Sequence, residues 1–312
     1  MVVMTQAFKK LAALIAVVIV ALALGAVIAS ADAPLYGPTT YHGGQVITKP
    51  RVVLVVWGSQ WGDHGGGLNY AGDPVHEVPT VVGFLRGLGT DGEGWSGILT
   101  TYCQAKVCGP NVQHVAYSNH VYGGILTDER GPAPYHATPS DFASEVTWAR
   151  SHWRHPNPST IYLVLSPTGA LPFGYDQNTC ASHAATTSGI PYINLPYLND
   201  AAYRNQCNVG VIFGENGAII YSLSTEYAET VTDPFVGSGW LDSIRGNEIA
   251  DNCAWIISYI RTATGIYPAN ALQPSGSQVC AMAHPVEIGH PNFTTRPAHL
   301  IPIRFRISQK VR

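Results

Sequence analysis

Charged side chains are scarce in this chain. Only 12% of its 312 residues are Asp, Glu, Lys or Arg, and the formal net charge at pH 7 is -3. Proteins that bind nucleic acid need clustered Lys and Arg to neutralise phosphates, and the sequence has no basic cluster of that kind. We therefore expect no nucleic-acid partner.

The signatures of several enzyme and metal-site classes are also missing. The chain has no G-x-S-x-G motif, which argues against a serine hydrolase of the α/β type. Its Gly-rich stretches at 65–67 and 87–89 lack the lysine of a phosphate-binding P-loop. No C-x-x-C pair is present, so a zinc site built from cysteine pairs is not expected.

Long hydrophobic runs are missing from all but the N-terminal part of the chain. Two lysines precede an apolar run at 11–28, and the Ala-Ser-Ala sequence at 29–31 fits a signal-peptide cleavage site. Residues 1–31 are therefore predicted to be a signal peptide, with an uncleaved N-terminal anchor as the alternative because the run is long. In both cases we expect residues 32–312 to be secreted or extracellular, with a membrane as partner only if the segment is uncleaved.

Cysteine is present in an even number, which favours disulfides in an exported protein. Cys103 and Cys108 bracket a short loop and are predicted to pair with each other. Three pairings remain open for the other four, which are Cys180, Cys207, Cys253 and Cys280.

Apolar periodicity predicts strands and helices in mixed order. The predicted strands are 52–57, 98–102, 112–122, 161–165, 191–197 and 300–308, and the predicted helices are 78–88, 138–155 and 218–231. Thr138 and Asp141 are placed to cap the second helix, and the prolines of 191–197 predict an edge strand. Because no strict βαβ repeat is present, we expect an α+β fold.

Carboxylates concentrate in and after the third predicted helix. Glu226 and Glu229 lie on one helical face, and the sequence Thr-Asp-Pro at 232–234 ends the helix. Glu248 and Asp251 follow in a second acidic segment.

This order matches the layout of a zincin metal site. Helix positions i and i+4 project to the same side, so Thr225 and Glu229 form an outer pair with Glu226 between them. In an H-E-x-x-H zincin the outer residues bind zinc and the inner Glu activates a water molecule. The pattern predicts Glu226 as general base and Glu229 and Glu248 as metal ligands, with Asp251 orienting or joining them.

Threonine at position 225 leaves three alternatives for the cofactor, because a neutral hydroxyl is a poor zinc ligand. His183 can supply the missing nitrogen, which would restore a zinc site. A set made only of carboxylates would suit calcium or manganese better than zinc. In the third alternative the site holds no metal.

The segment 225–253 resembles a secreted family that includes the plant phosphate-induced (exordium) proteins and bacterial relatives. That family carries H-E-x-x-E, then T-D-P or T-N-P, a Trp, and E-I-x-D-x-C. The matching residues here are Glu226, Glu229, Thr232, Asp233, Pro234, Trp240, Glu248, Ile249, Asp251 and Cys253. Further matches are Tyr-His-Gly-Gly at 41–44, Val-Trp-Gly at 56–58, and Cys180 followed by His183.

The resemblance implies an extracellular, wall- or matrix-associated protein. The order H-E-x-x-E…E also looks like the gluzincin arrangement, which implies a zincin-like metallopeptidase core with a mixed sheet and a central motif helix. Residues 32–312 would then form one zincin-like domain with a loop-rich C-terminal extension. Thr225 departs from the family pattern at its first histidine.

Two functions remain open from the sequence. The first is a secreted metallopeptidase-like protein that hydrolyses peptide bonds with the help of a metal ion. The second is a non-catalytic extracellular protein that binds cell-wall glycan or a surface partner, or acts in signalling. For glycan binding, Trp61 and Trp95 are candidate sugar-stacking residues, because both lie in Gly-rich loops.

Overall fold

The computed structural model describes residues 36–172, 179–200, 207, 214 and 216–285. The predicted signal peptide at 1–31 and the predicted final strand at 300–308 lie outside the described residues. Within the described part of the chain, no helix combines the length and the apolar character needed to cross a bilayer.

Nine strands and four α-helices are present in the described residues. In chain order they are β1 (Thr39–Tyr41), β2 (Arg51–Trp57), α1 (Glu77–Gly87), α2 (Trp95–Leu99), β3 (Tyr122–Asp128), α3 (Pro139–His152), β4 (Thr160–Leu165), β5 (Ser182–Ala185), β6 (Pro191–Leu195), α4 (Gly217–Thr232), β7 (Trp240–Asp242), β8 (Ile257–Thr262) and β9 (Gly265–Asn270). A short 3₁₀ turn, Asp251–Cys253, follows β7.

The main sheet has five strands in the order β3-β2-β4-β6-β5. Strands β3, β2, β4 and β6 run parallel, and β5 is antiparallel to β6. β1 pairs with β7, and β8 pairs with β9, in two smaller antiparallel ladders. The fold is therefore α+β with a mixed sheet.

Strands β2 and β4 are apolar after their first residues, because both faces of the sheet are covered. On one face, Val52, Leu54 and Val56 join the larger core, which includes the apolar side of α4. On the other face, Val53 and Val55 join a smaller core with residues of α3. The helix that carries the predicted site is thus packed against the sheet from one side.

Helix α3 begins where the sequence predicted. The Thr138 hydroxyl accepts from the Asp141 backbone N–H at 3.3 Å, and the Asp141 carboxylate accepts from the Thr138 backbone N–H at 2.8 Å. This reciprocal capping satisfies two backbone donors that the first turn leaves free.

The predicted strand 98–102 is wrong. Trp95, Ile98, Leu99 and Tyr102 are all buried, and their spacing of three, four and seven residues is helical. They form α2 and the turn after it, and the Glu93 carboxylate accepts from the backbone N–H of Ser96 at 2.9 Å, in the first turn of the helix.

The predicted strand 112–122 is also misplaced, because regular pairing starts only at Tyr122. Before that point the segment makes one isolated bridge, between His114 and Cys103. Strand β3, which starts at Tyr122, contains Gly123 and Gly124, and glycine is a poor strand former. Gly124 adopts φ 144°, and a Cβ there would lie 2.4 Å from the Trp153 ring.

Strand β6 is not an edge strand, contrary to the prediction from its prolines. It pairs with β4 on one side and with β5 on the other. Pro191 is its first residue, and Pro196 lies just beyond its last. The prolines therefore flank the ladder and remove no hydrogen bond from its middle.

Three disulfides are formed. Cys103–Cys108 is confirmed, and the open pairings resolve as Cys180–Cys207 and Cys253–Cys280. This full pairing is consistent with a secreted protein.

The two candidate sugar-stacking tryptophans are core residues. Trp61 is 1% exposed and Trp95 is fully buried. Their indole N–H groups donate to the carbonyls of Trp57 and Asn270, respectively. Neither ring can stack on a ligand without unpacking the core.

A buried pair of carboxyl groups lies at the end of β3, against α3. Arg130 Nη2 is 2.7 Å from both Asp128 Oδ2 and Glu145 Oε2. Glu145 is 2% exposed, and its Oε1 has no hydrogen-bond partner among the described residues. Burial and the adjacent Asp128 carboxyl raise the pKa of Glu145 to about 8, although Arg130 opposes the shift.

Glu145→Gln should remove part of the pH dependence of stability. Because its pKa is raised from 4.5 to about 8, the folded protein keeps a proton that the unfolded chain releases in this window. The free energy of unfolding therefore falls as the pH rises through it. Urea unfolding near pH 5 and pH 8 should show a smaller decrease for Glu145→Gln than for the wild type.

The matched control is Glu129→Gln, which removes an exposed carboxylate from the neighbouring turn. It should leave the pH dependence unchanged. Identical pH dependence of the wild type and Glu145→Gln would contradict the shifted pKa.

Candidate metal centre and cleft

Helix α4 carries Thr225, Glu226 and Glu229. The helix packs against β5, β6 and β9, and its predicted apolar side is buried, namely Ile219, Ile220, Leu223, Tyr227 and Val231. Glu229 is 3% exposed, whereas Thr225 and Glu226 are half-buried. Glu226, the predicted base, thus lies at the edge of the packed surface of the helix. Glu229, the predicted ligand, is more deeply buried.

His183 reaches this helix from the antiparallel strand β5. Its Nδ1 is 3.0 Å from Glu226 Oε2, and its Nε2 is 3.3 Å from Glu248 Oε1. The same Nε2 is 3.2 Å from the backbone carbonyl of Asp233. The imidazole therefore stands between the motif helix and the later acidic segment.

Asp233 shapes the turn that leaves α4. Its buried carboxylate accepts from the backbone N–H groups of Gly237, Ser238 and Gly239, at 2.6, 3.0 and 2.7 Å. At Gly239 a Cβ would lie 2.2 Å from the Thr232 carbonyl oxygen, so the approach requires glycine. The turn fixes the direction in which the chain runs towards Glu248.

Asp242 fixes the next turn of the chain, also by accepting hydrogen bonds from backbone N–H groups. Its carboxylate accepts from the backbone N–H groups of Gly37, Ile244, Arg245 and Asn247. Burial opposes ionisation, but these four donors lower the pKa of Asp242 below its usual value. Glu248 follows directly after this anchored turn.

Glu229 joins α4 to the 3₁₀ turn. Its Oε1 accepts from the backbone N–H of Asp251 at 3.0 Å. Burial, together with the charges of Glu226, Glu248 and Asp251, raises the pKa of Glu229 well above its usual value. A group that supplies positive charge beside Glu229 would lower this pKa and relieve the repulsion.

His183, Glu229 and Glu248 form a group that can hold a metal ion. Each offers one ligand atom, and these atoms lie within 4.8 Å of one another. One imidazole and two carboxylates are donors that zinc accepts, and three protein ligands leave a position for water or substrate. The residues present thus fit zinc better than a purely carboxylate set would.

The charge balance of the group rests on His183. Its burial alone would lower its pKa, but the hydrogen bonds and charges of Glu226 and Glu248 raise it well above the usual value. Burial raises the pKa of Glu248, and His183 opposes that shift. A metal ion held by His183 would take the place of an imidazolium proton, so binding would release a proton.

A cleft of about 200 Å³ opens beside the metal group. Its lining includes Thr225, Glu226, Asp251, the rings of Tyr221 and Trp255, and the Cys180–Cys207 disulfide. The Thr225 hydroxyl donates to the Tyr221 carbonyl at 3.2 Å, within the helix. Partial burial of the Asp251 carboxyl group and the charge of Glu248 raise the pKa of Asp251, although the residue as a whole is exposed to solvent.

The structure thus brings together the predicted residues in two neighbouring sets. His183, Glu229 and Glu248 form the metal group, whereas Thr225, Glu226 and Asp251 line the cleft. From the sequence, Asp233 was expected at the helix stop and as a candidate further member of the carboxylate set, and no motif indicated Asp242, Tyr221 or Trp255 as site residues. Asp233 lies four residues before the Gly-Ser-Gly sequence at 237–239, and an Asp placed ahead of such a turn is a usable signal for a carboxylate that anchors backbone amides.

Comparison with known proteins adds no family to this picture. The chain matches no protein-family model, no curated protein and no solved structure. The resemblance to the exordium-type family therefore rests on its sequence motifs and stays a prediction.

Glu229→Gln should stabilise the chelated protein at pH 8 and abolish its stabilisation by zinc. The amide keeps an acceptor for the Asp251 N–H and removes a buried carboxyl whose pKa is raised. A raised carboxyl pKa lowers stability as the pH rises, so the gain should shrink near pH 5. Thermal unfolding with a chelator and with added zinc measures both effects.

Zinc should raise the unfolding temperature of the wild type and of Glu129→Gln, since a ligand that binds the folded state stabilises it. A chelated Glu229→Gln protein that is less stable than the wild type at pH 8 would contradict the electrostatic account. A normal zinc response in that variant would contradict the ligand role.

Proposed function

We propose that this protein is a secreted metal-dependent hydrolase that acts on peptide bonds. The observation that carries the proposal is the position of His183. The imidazole lies against Glu226 and Glu248, and it shares a group of ligand atoms with Glu229 and Glu248. It supplies the nitrogen that Thr225 does not.

The fold supports the proposal in outline. A zincin-like core is expected to combine a mixed sheet with a motif helix, and here α4 packs beside the antiparallel strand β5. The ligands come from three separate elements, namely β5, α4 and the segment after β7. A site assembled in this way depends on the native fold.

His183, Glu229 and Glu248 would hold the metal. A bound zinc ion supplies Lewis acidity that polarises a carbonyl group. Glu226 lies in the cleft and contacts His183 Nδ1, so it can orient the imidazole and accept a proton from a nucleophilic water in the cleft. Asp251 holds Glu229 in place through its backbone N–H.

A non-catalytic binding protein is the second candidate. His183 already pairs with two carboxylates, and the Thr225 hydroxyl is engaged by its own helix. The imidazolium of His183 thus compensates part of the carboxylate charge without a metal ion. In this candidate the cleft binds a peptide, a cell-wall glycan or a surface partner, and no bond is broken.

Metal content separates the two candidates. We expect stoichiometric zinc, measured by elemental mass spectrometry, in the wild type and in His155→Ala, which removes an exposed histidine. Glu229→Ala and His183→Ala should lose it, because each removes one of three ligands. Zinc that persists in both variants, or that is absent from the wild type, would contradict a zinc centre, and calcium or manganese would indicate a different cofactor.

Glu226→Gln should keep the zinc and lose hydrolysis of a peptide library by at least about 100-fold, the range typical for a lost general base. Unchanged hydrolysis in Glu226→Gln would overturn the assignment of the base. If neither protein cleaves any peptide while both bind glycan or a surface partner, the second candidate holds.

A further inference from the structure

Two residues that line the cleft each carry a buried polar atom without a hydrogen-bond partner among the described residues. Ser222 Oγ and Asn270 Oδ1 belong to side chains that are 4% and 0% exposed. Neither atom has a hydrogen-bond partner among the described residues, and both residues line the cleft. Buried polar atoms are normally satisfied, so these two indicate that the cleft is built to receive a polar group.

The polar lining consists mainly of acceptors. Asn270 uses its Nδ2 to donate to the Ala250 carbonyl at 2.9 Å, which leaves the acceptor Oδ1 for a ligand. Glu226 and Asp251 add two carboxylates, and an ionised carboxylate only accepts. A complementary ligand must therefore donate several hydrogen bonds.

The charge of the site selects for a cation. Two carboxylates, Glu229 and Glu248, can compensate a divalent metal ion, which leaves Glu226 and Asp251 facing the cleft. Close like charges repel, and a cationic ligand lowers this repulsion. Asp251 is exposed to solvent, so an arriving ligand can reach it.

An aromatic wall stands beside these acceptors. Trp255 is 64% exposed and stacks on Tyr221 with a centroid distance of 5.6 Å and an interplanar angle of 20°. The backbone N–H of Trp255 donates to the Tyr221 hydroxyl at 3.2 Å, which holds the residue at φ 69°. An exposed indole face packs well on the methylene stem of a basic side chain and on a guanidinium plane.

We propose that the cleft binds a basic side chain of a peptide, with arginine preferred over lysine. The guanidinium would donate to Asp251 and to Asn270 Oδ1, and the stem would lie on Trp255. Arginine offers five donors in one plane, which suits several acceptors around one cavity. The inference rests on the proposed function only in taking a peptide as the ligand, and it names the substrate class.

The test is calorimetric binding of capped pentapeptides to the full-length, chelated protein. The peptides have the sequence Ala-Ala-X-Ala-Ala, with arginine, lysine, norleucine or citrulline at X. Citrulline is the neutral isostere of arginine. We expect the arginine peptide to bind at least about tenfold more tightly than the citrulline peptide, since a charge-assisted hydrogen bond is lost.

Variants of the cleft residues test which side chains produce the preference for arginine. Asp251→Asn, which keeps the side-chain shape, should reduce the preference for arginine over citrulline to near unity. Trp255→Ala should weaken both peptides alike. Glu129→Gln, which removes one exposed carboxylate outside the lining, should keep the full preference. The proposal is overturned if citrulline binds as tightly as arginine, if no peptide binds, or if Asp251→Asn retains the preference.

Failure of this inference is distinguishable from failure of the proposed function. Binding to the chelated protein requires neither zinc nor hydrolysis. A protein that prefers arginine but holds no zinc and cleaves nothing would refute only the hydrolase. A zinc protein that cleaves peptides with the same rate at arginine and at citrulline would refute only the basic-residue preference.

Discussion

The site depends on one buried imidazole placed among several carboxylates. Glu229 has almost no contact with solvent, and an uncompensated charge in such a place is strongly destabilising. The positive charge of His183, which contacts Glu226 and Glu248, lowers this cost. The arrangement requires that β5, α4 and the segment after β7 converge, so the electrostatics of the site and the topology of the sheet constrain each other.

Two buried aspartates fix the path of the chain between α4 and Glu248. Asp233 and Asp242 each gather backbone N–H groups of a turn that has no regular secondary structure. Charge-assisted bonds of this kind are among the stronger hydrogen bonds in proteins. The path between the motif helix and Glu248 is thus fixed by side chains instead of by a helix or a sheet.

Local patterns allowed prediction of the parts that depend on neighbouring residues. The apolar side of α4, the cap at Thr138 and the Cys103–Cys108 bridge all involve positions a few residues apart. His183 was expected as the substitute nitrogen, but its contact with Glu226 depends on strand pairing far along the chain. The residues from Trp95 to Tyr102 suggested a strand, although their spacing was helical. The start of β3 was not predicted because Gly124 is a poor strand former, and glycine is needed there to make room for the Trp153 ring.

The Cys180–Cys207 bond forms part of the cleft wall, and the Cys253–Cys280 bond holds the turn that begins at Asp251. Both bonds form only where thiols are oxidised. A reduced chain has neither constraint, so the wall and the Asp251 turn lack their covalent support. Completion of the cleft is thereby coupled to an oxidising environment, because its wall and the adjoining turn are each closed by a covalent bond between distant parts of the chain.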